Sequence, residues 1–156
     1  MRLLLFLLSF LFGFSVVAQE VKIGNVENKI ALGDLAGNRD LAFGVRNLLE
    51  EIVQDAGYDL NPNSTTELNV DLLFFDVKKT NIQLAVYGKN TDSYQIIAQA
   101  YIVKDGKKKK PVTAKGEAKS ISTATLIIDK GGKFSQANVS TALKKVCEEL
   151  VSKLKI

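Results

Sequence analysis

Residues 41–58, LAFGVRNLLEEIVQDAGY, decide how the rest of the chain must be arranged. Leu41, Val45, Leu48, Leu49, Ile52, Val53 and Ala56 recur at steps of three and four, the spacing that lines up one face of a helix. Gly57 stands where a C-cap glycine belongs, and Tyr58 after it can fold back on the last turn. Asn38 and Asp40 offer side-chain oxygens to the free amides at the other end. A helix with a single apolar stripe must bury that stripe against a sheet or a second helix.

The sequence supplies both. Val139, Ala142, Leu143, Val146, Cys147, Leu150, Val151 and Leu154 predict a closing helix, with Ser135 as its cap. Ahead of the first helix, residues 21–26 and 30–32 are short apolar pieces, the second running into a loop. After it, Asn61-Pro62-Asn63-Ser64 is a turn cluster. Leu68, Val70, Leu72 and Phe74 then alternate on one strand face, with Asn69, Asp71, Leu73 and Phe75 on the other. Lys78-Lys79-Thr80-Asn81 predicts a turn into a further strand, in which Ile82, Leu84 and Val86 face in and Ala85 and Tyr87 face out, with residues 88–92 as loop. Asp105-Gly106 signals a two-residue type I′ turn between a long strand, residues 94–104, and a return strand after Pro111. Residues 121–129 form one more short strand, and Lys130-Gly131-Gly132-Lys133 a loop.

The predicted fold class is α+β: an antiparallel sheet of about four to five strands with two amphipathic helices packed on one face. Such an arrangement leaves the second sheet face to water or to a partner. On this reading that face collects Leu73, Phe75, Ala85, Tyr87 and one register of residues 94–103, including Tyr101. It is covered either by the chain's own residues 19–37 or 121–134, or by a second molecule.

The chain opens with Arg2 followed by an apolar run over residues 3–18, closed by the small residues Val16 and Ala18. This predicts a signal peptide over residues 1–18, cleaved after Ala18, and a single domain over residues 19–156. The run is shorter than the ~20 residues of a spanning helix, and no cysteine stands at the cleavage point to carry lipid. A periplasmic or secreted location follows. Loss of Arg2 lowers the formal charge from +4 to +3, a mild balance that favours weak attraction to anionic surfaces and predicts no specific nucleic-acid binding. Cys147, the only cysteine, sits on an apolar stripe and is expected in the core.

Chemistry is poorly served. The sequence has no histidine, which removes the commonest general base and zinc ligand, and with them the Ser-His-Asp and Cys-His arrangements. No cofactor, metal site or catalytic residue is predicted. Glu50 with Glu51, and Glu148 with Glu149, lie opposite apolar stripes as solvated faces. Asp71 and Asp76 could form a carboxylate dyad, but a spacing of five puts them on opposite faces of an undistorted strand. Gly131-Gly132-Lys133-Phe134-Ser135 and Gly37-Asn38-Arg39-Asp40 precede helices without the full phosphate-loop pattern. The remaining candidates are contacts: Leu73, Phe75, Tyr87 and Tyr101 on the sheet, and Lys107, Lys108, Lys109 and Lys110 at the hairpin. The lysines suit an anionic polymer, lipid headgroups or an acidic protein patch, and they equally serve as a solvated tip that discourages strand pairing.

Five stretches in order, IALGDLAGN, LLEEIVQDAGYDL, ELNVDLLFFDV, YQIIAQAYIV and STALKKVCEEL, resemble small bacterial envelope proteins of the YajG lipoprotein type, and more loosely the CsgG and LpoB types. The resemblance implies an envelope-associated, non-enzymatic accessory or assembly protein, and it carries over no functional residues. It departs from those families in lacking their lipidated cysteine. The expected function is therefore an exported binding or accessory protein whose partner is another envelope protein or itself. The alternatives are a homo-oligomeric structural subunit and a small secreted hydrolase working with carboxylates alone.

Overall fold

The helix of the quoted stretch ends as its sequence demands. Gly57 adopts φ +86°, its N–H donates to the Gln54 carbonyl at 2.9 Å, and the Tyr58 N–H reaches the Val53 carbonyl at 3.2 Å. Together these bonds form a Schellman motif, which satisfies carbonyls the helix leaves open and needs a left-handed residue at Gly57. At the start, Leu41 is the N-cap and has no side-chain capping bond; its carbonyl accepts the Val45 N–H at 3.2 Å. Asn38 and Asp40 lie outside the described residues, as do residues 1–17 of the leader. The computed structural model describes residues 18–32, 41–84, 87–124, 136–154 and 156.

In chain order the elements are β1 (Glu20–Leu32), α1 (Ala42–Asp55), β2 (Asp59–Leu60), β3 (Thr66–Leu84), β4 (Tyr87–Lys104), β5 (Lys107–Lys108), β6 (Val112–Ala124) and α2 (Gln136–Leu154). The sheet runs β2-β1-β3-β4, with β5 and β6 both paired to β4. The α+β class and the two helices are as predicted. The sheet, however, is mixed: α1 carries the chain back along the sheet, so β3 runs parallel to β1. Every other long pairing is antiparallel.

Two expected breaks are absent. Lys78, Lys79, Thr80 and Asn81 do not turn; they pair with Ser93, Asp92, Thr91 and Asn90, and β3 continues to Leu84. Residues 88–92 are likewise strand, held between β3 and β6. Polar composition suggested turns here. Yet residues 78–81 contain no glycine or proline, and a ladder on either side satisfies the backbone of residues 88–92. Residues 85–86 join β3 to β4 and lie outside the described residues. The predicted strand at 121–129 is the end of β6, described to Ala124.

Both helices lie on one sheet face. Val45, Leu49, Ile52 and Val53 of α1 and Ala142, Val146, Cys147 and Leu150 of α2 meet Leu68, Val70, Leu72, Tyr94, Ile96, Ala98, Ala100 and Ala114 in one buried cluster. The small residues of β4 and β6 let α2 settle closely. At Gly116 the approach is so tight that a β carbon would strike the carbonyl oxygen of Ala142. Three side chains of α2 also reach the outer edge of β6: Lys145 to the Glu117 carbonyl at 3.1 Å, Glu149 to the Lys115 N–H at 3.4 Å, and Lys153 to the Thr113 carbonyl at 2.9 Å.

A bulge in β3 sets which residues face the core. Leu72 pairs with Ala98, but the next pair is Phe74 with Ile97, and Leu73 is the extra residue. The alternation therefore reverses. Phe75, expected on the outer face, turns inward and is fully buried with Val77, while Phe74 turns outward. Regular alternation would turn Phe74, Asp76 and Lys78 toward the helices; the bulge buries Phe75 and Val77 there instead, and leaves the two charged residues on the outer side.

Candidate functional site

The helix-free face is less apolar than its sequence suggested. Its β1 and β3 half holds a polar network. Glu67 pairs with Lys22 at 3.0 Å, and that ammonium, followed by the amide of Asn69, holds its carboxyl below the usual range. Asn69 is buried, and its Oδ1 accepts the Asn25 N–H at 2.7 Å. It does so where the β1 register slips between Ile23 and Val26, supplying an acceptor that the interrupted ladder lacks. From the other side, Arg46 of α1 donates to the carbonyls of Gly24 and Ile23. Lys29 bridges Glu27 at 2.7 Å and Asp71 at 3.1 Å, and these two carboxylates raise its pKa, Glu27 more than Asp71.

What remains for contact is a narrow strip. Phe74 and Ile97 face each other as a cross-strand pair, and Tyr101 and Val103 continue the line along β4. All four are half-buried, and among the described residues the exposed large apolar side chain is Ile82, half exposed on β3.

The structure separates the contact residues named from sequence. Leu73 is half-buried at the bulge and Phe75 lies beneath the helices. Tyr87 opens β4 opposite Leu84, and its side chain lies outside the described residues. Tyr101 is brought to the lysine cluster, because Val103 pairs with Lys108 and the Lys108 ammonium sits 3.5 Å above the Tyr101 ring. Sequence reasoning missed Phe74. The run Leu72-Leu73-Phe74-Phe75 breaks strict alternation, and that break was the signal available.

The hairpin tip is rigidly built. Asp105 and Gly106 have φ of 49° and 74°, the left-handed pair that a type I′ turn requires. The Asp105 N–H donates to the Thr65 carbonyl at 3.3 Å and the Lys109 N–H to the Ile102 carbonyl at 2.8 Å. Lys104, Lys107, Lys108, Lys109 and Lys110 are all exposed, and none has an ion pair among the described residues. Five lysines against Asp105 give this tip a formal +4, leaving sixteen basic and sixteen acidic side chains elsewhere in the chain. The net charge is therefore concentrated at one end of the sheet.

Other candidate features resolve simply. Cys147 is buried, and burial pushes its thiol up to about 12. The β3 bulge corrects the expectation for Asp71 and Asp76, which share the outer face. Their partners Gln99 and Gln95 are four residues apart on β4, about 13 Å, and Asp71 is engaged by Lys29. Glu51 pairs with Lys144 at 3.1 Å and Glu149 with Lys153. The glycine stretches before the two helices lie outside the described residues. Among those described, no helix is long and apolar enough to cross a membrane.

The sequence matches no family model and no curated protein. Its fold is similar to several solved bacterial structures. A minor lipoprotein of Acinetobacter baumannii is 10% identical over 88% of this chain and 90% of its own, with a TM-score of 0.42. A neuraminyllactose-binding hemagglutinin homologue of Helicobacter pylori is 7% identical over 88% and 83%, with a TM-score of 0.49. Rare lipoprotein B of Shewanella oneidensis is 9% identical over 81% and 92%, with a TM-score of 0.37. At these identities and scores the likeness assigns no activity to this chain.

Proposed function

We propose that the chain is an exported, non-enzymatic binding or accessory protein of the bacterial cell envelope, and that it makes its contact through the lysine hairpin and the adjoining Tyr101 strip. The observation that carries this reading is the fixed hairpin tip that holds the chain's net charge with no internal counter-ion among the described residues. A tip that served only to block strand pairing would work with one or two lysines. The apolar leader over residues 3–18 supports export, and the resemblance to YajG-type proteins supports the envelope.

The test is fractionation of cells that export the chain. The wild-type chain is expected to sediment with envelope material and to be released by high salt. A variant with Lys107, Lys108, Lys109 and Lys110 changed to Gln is expected in the soluble fraction. A wild-type chain that is soluble at low salt would overturn the reading.

A further inference from the structure

Resting on that reading, we infer that the partner of the hairpin is the surface of an anionic phospholipid leaflet, on which Lys104, Lys107, Lys109 and Lys110 seat as a peripheral contact. The argument is from shape and charge together. The lysines flank a two-residue turn where two paired strands end, and all five are exposed at that tip. Such a tip cannot wrap a flexible polyanion, which is bound instead in a basic groove with stacking aromatics. It does fit a plane of negative charge.

The Tyr101 ring beside the tip carries the Lys108 ammonium over its face, which closes that face to stacking by a base. A folded protein with an acidic patch would have to present a matching hollow, whereas a leaflet needs only charge density. The turn is already fixed by its own backbone bonds, so little ordering is lost on contact. Clusters of four or more lysines beside a bilayer act in this way, each weakening the attraction by about fivefold when removed.

The exported chain is mixed with vesicles of roughly one-third phosphatidylglycerol in phosphatidylcholine, at about 0.1 M salt, and sedimented. It is expected to bind these vesicles, to leave pure phosphatidylcholine, and to be released as salt rises. The variant K107Q/K108Q/K109Q/K110Q is expected to bind about a hundredfold more weakly or less, with unchanged circular dichroism. A charge-matched variant, K78Q/K79Q/K89Q/K119Q, removes four lysines from the far end of the sheet and is expected to bind nearly as wild type. Equal loss in both variants, or equal binding to neutral vesicles, would overturn the inference. If the chain still sediments with whole envelopes but ignores anionic vesicles, the lipid assignment fails while the envelope reading stands.

Discussion

The ammonium of Lys153 donates to the carbonyl oxygen of Thr113 at 2.9 Å, across the outer edge of the sheet. Glu149 and Lys145, each four residues further back on α2, reach the Lys115 N–H and the Glu117 carbonyl in the same way. Four residues of helix rise about 6.0 Å and two residues of strand about 6.6 Å, so the two repeats keep step. The helix thus occupies the backbone groups that an edge strand would otherwise offer to another chain.

If this guard matters, its removal should change association more than stability. The variant K145S/E149S/K153S is expected to lose about 1 kcal/mol or less, since exposed pairs contribute little. Light scattering should nevertheless show a mass above that of the parent. An unchanged mass across a concentration series would show that the edge needs no guard.

The bulge at Leu73 makes neighbouring phenylalanines unequal. Phe75→Ala is expected to cost about 3–5 kcal/mol and Phe74→Ala under about 1 kcal/mol, read from urea denaturation midpoints. The reverse order of losses, with Phe74→Ala the costlier, would mean that β3 keeps regular alternation.

Gly116 is required by the close approach of α2. Gly116→Ala should destabilise by about 1–3 kcal/mol or more, because its new methyl meets backbone that cannot swing away. Circular dichroism melting of this variant beside Gly44→Ala, which meets nothing within 4 Å and sits within α1, isolates the effect. The second change should be neutral or mildly stabilising, as alanine is the better helix former.

Acid should weaken the fold. The carboxyls of Glu67, Glu117 and Glu149 are each held below their ordinary pKa, chiefly by Lys22, Lys115 and Lys153. A depressed folded pKa gives stability that is present above the unfolded value and lost as pH falls through the folded one. Denaturant midpoints are therefore expected to hold through the neutral range and decline below the usual carboxylate range. In Glu67→Gln that decline should be shallower. Identical pH profiles for variant and parent would show that Lys22–Glu67 contributes nothing.

Much of this fold was legible in the chain. Both helices, the Gly57 exit, the Asp105-Gly106 turn and the buried Cys147 follow from periodicity and turn chemistry that act over a few residues. Three features were hidden because they depend on distant partners. The parallel β1–β3 pairing depends on the path that α1 takes, and strand structure at residues 78–81 and 88–92 depends on the ladders beside it. The reversal at Phe75 depends on where a helix layer lies above the sheet. The lysine run was visible at once. Its significance emerged only when the turn proved fixed and the lysines proved to have no ion pair among the described residues.

The most direct test is hydrogen exchange along the exported chain with and without isolated envelope membranes. Binding through the hairpin predicts added protection over residues 101–111, with α1 and α2 unchanged. Protection spread over the helices, or none at the hairpin while the chain is bound, would contradict it.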